Sequence, residues 1–226
     1  MMTGAAMSHY LHQLFQALDF SSMWDAVLRV AAVFLCLTVH ETCHGLAALA
    51  LGDPTAKSRH RISLNPLRHI DWFGLLFMFM AGFGWAKPVP VDPRYFKHPK
   101  RGMALTALAG PVSNLLLAFL ALLLGKLIAL YAPYSAAWGM TFDFLVYTLA
   151  PLSIGLGVFN LIPIPPLDGS KVLGALLPDR LYWVQLRYER YGFALLLVLS
   201  FLGVGGGIIS RGMMAVYGVF VTLIFG

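Results

Sequence analysis

The chain has 226 residues, 59% hydrophobic and 12% charged, with a formal charge of +6 and a mean hydropathy of +0.75. That balance excludes an ordinary soluble domain, and the length leaves room for about six apolar segments of roughly 20 residues with no added soluble domain of usual size. The positive charge does not point to nucleic acid, because the basic residues cluster between apolar runs, where they set topology and meet anionic lipid headgroups.

Residues 1–24 are mixed in character, with His9, His12 and Asp19. They read as a short amphipathic or loop segment ahead of a single membrane domain over residues 25–226. No Lys or Arg precedes Arg29, so the basic start of a secretory signal peptide is missing and the first span is expected to stay in the mature protein.

The run Ala26 to Leu51 is almost continuously apolar and long enough to cross a bilayer. Inside it lies Val39-His40-Glu41-Thr42-Cys43-His44-Gly45, an HExxH motif. On a helix, residues four apart share a face, so His40 and His44 can close on one metal ion with Glu41 beside them. In a charge-rich chain HExxH can arise by chance. Here only two glutamates exist, Glu41 and Glu189, and a charge inside a membrane helix costs on the order of 2.5–3.5 kcal/mol, so this one reads as functional.

Cys36 and Cys43 share the same helix. Seven positions separate them by about 10 Å, too far for a mutual disulfide. Cys36 continues the i, i+4, i+8 row of His40 and His44, so a thiolate near the metal is one reading; small-residue packing between membrane helices is the favoured one. Gly52 and Pro54 end the helix. Counting back from Gly52 puts His44 about 12 Å and His40 about 18 Å below that end, inside the hydrocarbon layer.

A basic loop with Lys57, Arg59, Arg61 and Arg68 leads to the apolar stretch Asp71 to Ala86, and a second basic loop follows with Lys87, Arg94, Lys97, Lys100 and Arg101. An apolar stretch this short between positive flanks reads as a re-entrant or β-hairpin element that dips in and returns. Spans are expected over Met103 to Tyr131 and Phe142 to Ile162, joined by a turn around Pro133 to Gly139. A polar region with Lys171, Arg180, Arg187 and Arg190 comes next, and two shorter apolar segments, Tyr191 to Val204 and Ile208 to Phe225, flank a turn at Gly205-Gly206-Gly207. The expected fold is an all-α polytopic membrane protein with about five to six transmembrane helices. The three basic regions hold 13 of the 16 Lys and Arg residues and fall on one face, which the positive-inside rule makes cytoplasmic.

A catalytic zinc usually keeps three protein ligands and an open position, so two histidines leave it one short. His60, His69 and His98 lie in basic loops and read as solvated. Asp168 follows the break Pro163-Ile164-Pro165-Pro166-Leu167, and irregular backbone at membrane depth survives only where protein or a water-filled cavity covers it. Asp168 is therefore either a ligand or an N-cap for a helix over Gly169 to Leu177, and spacing leaves the two open.

These motifs together resemble the site-2 protease family. His40-Glu41-Thr42-Cys43-His44 matches that family's HExxH, and Asn160-Leu161-Ile162-Pro163-Ile164-Pro165-Pro166-Leu167-Asp168-Gly169 matches its NxxPxPxxDG pattern. The resemblance covers about residues 35–177. It implies His40, His44 and Asp168 as ligands of one zinc ion per chain, Glu41 as general base and Asn160 close to the reacting peptide. Gly110-Pro111-Val112-Ser113-Asn114 also resembles the family's GPxxN segment, beside a packing role with Asn114 bonded across helices.

Zinc lowers the pKa of bound water to about 7 and polarises a scissile carbonyl, and Glu41 can carry the proton to the leaving amine. The expected activity is intramembrane proteolysis of transmembrane protein substrates, with the site opening toward the cytoplasm and the lipid bilayer as the other partner. Substrate must be unwound first, and an edge in the Asp71 to Ala86 element could bind it as an added strand, as the resemblance suggests. A metal transporter also places His and Asp in its spans, but it needs ligands arranged along a path. A catalytically silent zinc scaffold would need neither an open position nor Glu41. Oligomeric state and substrate identity are not legible in the sequence.

Overall fold

Long apolar runs with few breakers satisfy their backbone groups internally by forming helices, the only open-ended structure lipid tolerates. The computed structural model describes residues 23–74, 86–202 and 206–226. Helix α1 spans Met23–Ala50, α2 Pro99–Tyr131, α3 Ala136–Asn160, α4 Asp168–Leu176, α5 Asp179–Phe201 and α6 Gly206–Phe225. Three of them, over Trp24–Ala50, Pro99–Tyr131 and Ala136–Asn160, are long and apolar enough to cross a membrane, and Ile209–Phe225 is a shorter apolar helix. The segment 1–22 and residues 75–85 and 203–205 lie outside the described residues, and with them most of the expected re-entrant or β-hairpin element. At its described ends Ile70 and Ala86 form an isolated antiparallel bridge, and Lys87 N–H donates to the His69 carbonyl at 2.9 Å.

Helix α1 stops as its sequence predicts. Gly52 takes a φ of 104°, which favours glycine. The Asp53 N–H then reaches back to Ala48 O at 2.9 Å and the Gly52 N–H to Leu49 O at 3.1 Å, closing a Schellman cap. Helix α2 begins at Pro99, ahead of the expected Met103, because proline is tolerated in the first helical turn. Helix α3 also starts early, since the Ser135 side chain accepts from Trp138 N–H and caps it. The turn expected around Pro133 to Gly139 is therefore already helical from Ala136. Just before Pro151, residues Phe144–Leu149 widen into a π-helical stretch, which relieves the clash a proline ring makes with the preceding turn. Helix α5 likewise runs from Asp179, although apolar counting placed its start at Tyr191. Its first half carries Arg180, Arg187 and Arg190, which end an apolar run but not a helix.

Helix α2 is the centre of the bundle, packing against α1, α3 and α4. On its inward face the small residues Ala118 and Ala121, with the larger Leu122, share a core with Ala32 and Cys36 of α1 and Val146, Leu149, Ala150 and Ile154 of α3. A Cβ at Gly125 would come within 2.5 Å of Val146, so glycine there lets α2 and α3 approach. Cys36 is part of this core, which is the packing role. Inside the apolar stretch of α2, Lys126 Nζ donates to the Ile224 carbonyl at the C-terminal end of α6, where a helix dipole favours a cation. Lys100, near the start of α2, reaches Leu177 O at 2.7 Å and Asp179 at 2.9 Å, tying the α4–α5 junction to α2.

His69 is the one loop histidine that departs from the solvated expectation. It is 2% exposed, with Nε2 2.8 Å from the Ser63 carbonyl, because the basic loop folds over the end of α1 and does not extend into water. His60 and His98 are exposed.

Candidate metal centre

The helical repeat places His40 and His44 one turn apart on the face of α1 that meets α2. Their rings are edge to face, with centroids 4.5 Å apart, and their Nε2 atoms are 3.0 Å apart. Asp168, the first residue of α4, sends Oδ2 to 3.1 Å from each Nε2. Among the described residues these three form the one group whose ligand atoms converge for a metal ion, and all are buried. Asp168 is not an N-cap: the position before α4 is Leu167, and no side-chain bond caps the helix. The carboxylate is turned to the histidines, leaving Oδ1 3.9 Å from Lys171 Nζ.

Two features fit this group to zinc. Its edges of 3.0–3.1 Å are close to the separation of about 3.3 Å between tetrahedral ligands at roughly 2.0–2.1 Å from the metal. The outer nitrogen of His44 also fixes which of its atoms faces inward. His44 Nδ1–H donates to the Thr106 carbonyl at 2.7 Å, which turns the Nε2 lone pair to the centre. The side-chain amide of Asn114 lies 3.1 Å from His40 Nδ1. Electron-rich atoms gathered this closely in a buried site call for a cation.

The surrounding small residues permit this approach. A Cβ at Gly110 would collide with His44 Nε2 and lie 2.7 Å from His40 Cε1, so α2 must carry glycine where the rings cross it. A Cβ at Gly169 would collide with the Leu161 carbonyl and lie 2.6 Å from Ile162 O, so the glycine after Asp168 lets α4 start against the proline-rich turn. The GPxxN segment thus supplies Gly110 and Asn114, contacts that no local periodicity announces because they lie on a different helix.

Glu41 leaves the ligand face. Its Oε2 accepts the Val89 N–H at 2.9 Å. The segment Lys87 to Asp92 is a strap pinned to the end of α1: Asp92 N–H donates to the buried Asp53 at 2.7 Å, and the flanking Pro88 and Pro90 have no N–H to offer. Outside the helices, the Arg94 guanidinium beside Asp92 holds that carboxyl below the usual carboxylate range. Strap and metal group together line a cavity of about 760 Å³, which also takes in Asn160, Lys171 and Glu189. Asn160 ends α3 with its amide donating to Leu156 O at 2.9 Å. Val89 is the functional neighbour that motif reading missed; the alternation of proline around it was the available signal.

A model of Peptidase family M50 matches residues 123–202, a stretch that contains Asp168 but not the HExxH helix. The Bacillus subtilis (strain 168) protein named "Putative zinc metalloprotease YwhC" is 40% identical over 171 residues, covering 75% of this chain and 78% of that protein. "Putative zinc metalloprotease Rip2" of Mycolicibacterium smegmatis is 29% identical over 178 residues, covering 76% of this chain and 66% of that protein. Its namesake in Mycobacterium tuberculosis H37Rv is 30% identical over 175 residues, covering 75% and 64%. No solved structure matches the chain. With the converging metal group, these relatives establish that the chain belongs to peptidase family M50, the site-2 protease family of zinc metalloproteases.

Proposed function

We propose that the chain is an intramembrane protease that cuts peptide bonds in or near transmembrane segments of membrane-protein substrates. The observation that carries this reading is the convergence of His40 Nε2, His44 Nε2 and Asp168 Oδ2 at 3.0–3.1 Å, with two of the three residues deep in a helix long enough to cross a bilayer. These three residues hold one zinc ion. When bound there, zinc supplies Lewis acidity, polarising the scissile carbonyl and making water nucleophilic near neutral pH.

The chain's own groups do the rest. Glu41 takes the proton of the attacking water and delivers it to the leaving amine. The Val89 N–H commits Oε2 and leaves the proton to Oε1. Asn160, on the cavity wall, steadies the reacting peptide with its amide. The basic loops and the end of α1 nearest the metal group face the cytoplasm by the positive-inside rule, so the cavity opens that way.

The test is cleavage of one scissile sequence presented in two forms by the reconstituted protein. As a membrane-spanning peptide in liposomes it is expected to be cut, with a zinc chelator abolishing the product. As a short soluble peptide it is expected to be a poor substrate. Equal or faster cleavage of the soluble form would contradict the intramembrane reading while leaving the metalloprotease intact.

A further inference from the structure

Asn114 is fully buried where α1, α2 and α3 meet. The Ser153 hydroxyl on α3 donates to its backbone carbonyl at 2.7 Å, and a Cβ at Gly157 would stand 3.5 Å from its Cβ. Its side-chain nitrogen Nδ2 is placed 3.1 Å from His40 Nδ1, and among the described residues its Oδ1 has no hydrogen-bond partner. A buried amide oxygen without a donor costs about 1–3 kcal/mol, so its position asks for a reason.

The two histidines need the same proton arrangement to present both Nε2 lone pairs. At His44 a backbone carbonyl, which can only accept, settles it: the proton sits on Nδ1. At His40 the neighbour is an amide, which can donate or accept. With the amide nitrogen Nδ2 toward Nδ1, as the side chain is placed, the ring would be driven to carry its proton on Nε2, pointing at His44 and Asp168, and could not bind a metal there. Oxygen and nitrogen of the amide are nearly the same size, so a half-turn of the side chain exchanges them without steric change. The oxygen then accepts the His40 Nδ1–H.

We propose that Asn114 is a positioning residue for the metal centre: its side-chain oxygen accepts the Nδ1 proton of His40 and holds that ring in the tautomer whose Nε2 faces His44 and Asp168. The inference rests on His40, His44 and Asp168 being the zinc ligands. It gives α2 two matched contacts, the Thr106 carbonyl for one histidine and the Asn114 oxygen for the other, eight residues apart on one helix. The small-residue segment beginning at Gly110 therefore has a chemical role beyond close packing. It admits both rings and sets the proton of His40.

The test uses the full-length protein in detergent, with zinc affinity measured by chelator competition and cobalt(II) substitution read by its visible absorption. Asn114→Leu keeps the side-chain volume and removes the acceptor; it should bind zinc about 10- to 100-fold more weakly, the usual cost of losing a partner behind a metal-bound histidine. Its cobalt spectrum should change. Asn114→Asp restores an acceptor and should return both readouts to the parent's range, which recovered packing alone would not predict. Should Asn114→Leu fail to fold, histidine ¹⁵N spectra of the zinc-loaded parent decide the matter: a protonated Nδ1 on His40 supports the proposal and a metal-bound Nδ1 overturns it. Parent-like zinc affinity in Asn114→Leu, or an Asp variant as weak as the Leu variant, overturns it as well. A parent that binds no zinc removes the ligand assignment itself, and this inference with it.

Discussion

The HExxH helix shows two unlike faces within one turn. On the ligand face His40 and His44 lie against the backbone of α2, with Gly110, Thr106 and Asn114 leaving them no other place to go. On the base face Glu41 meets a strap held by backbone hydrogen bonds, through Val89 to Glu41 and through Asp92 to Asp53. The difference teaches what each half of the chemistry requires. Metal ligands need fixed separations, which packed helices give. A proton carrier needs one oxygen held and the other available, which a single N–H on an extended segment gives.

If the two faces divide the work this way, damage to the ligand face should appear first in metal content, and damage to the base face in turnover alone. The largest effect is expected from Asp168→Ala. It removes the third donor, so zinc per chain by atomic absorption should fall well below the parent's and cleavage should vanish. Because no capping bond is lost, helix content should hold; zinc retained at the parent's level would break the ligand assignment.

Gly110→Ala ranks next. Its methyl group would enter the space of both imidazoles, an overpacking that costs about 1–3 kcal/mol in a core with no room to yield. Weakened zinc binding and a lower unfolding temperature should appear together. An alanine variant with parent-like metal affinity would mean that the rings do not rest on α2 as described.

On the base face, Val89→Pro removes the N–H that reaches Glu41, while the neighbouring prolines already favour extended backbone there. A hydrogen bond to a carboxylate contributes about 1.5–3 kcal/mol, so kcat should drop roughly 10- to 100-fold with zinc content unchanged. Val89→Ala keeps the N–H and should stay near the parent. Equal losses in the two variants would assign the effect to side-chain packing. The smallest effect belongs to neither face: Lys126→Met loses the contact with the end of α6 and should lower thermal stability by about 1 kcal/mol, seen by melting in detergent with zinc and cleavage intact.

Much of this site was legible in the sequence because its first half is local. Four-residue spacing puts His40 and His44 on one face of any helix, and the apolar run around them made the helix certain to be long. Asp168 was legible only as an ambiguity, since His40, one of the two histidines it meets, lies 128 positions away; the geometry that rules out the cap is tertiary. Gly110 was legible only as the first residue of the GPxxN segment, not as a contact of the histidine rings, and Thr106, which acts through its backbone carbonyl, carries no local signature at all. The same limit shaped the fold. Apolar runs located the long helices, yet α5 continues through Arg180, Arg187 and Arg190 because charge ends an apolar pattern without ending a hydrogen-bond ladder. His69 was misplaced because a basic loop was read as solvated when it folds back over α1.

The central claim is that Glu41 moves a proton and does not hold the metal. Glu41→Gln tests it directly, because the amide keeps the shape and the bond from Val89 but cannot take a proton from water at neutral pH. Purified in parallel with the parent and given the same membrane-spanning peptide, the variant should carry about one zinc per chain, as the one three-ligand group among the described residues requires, and release no product. Cleavage at the parent's rate with zinc bound would contradict the account.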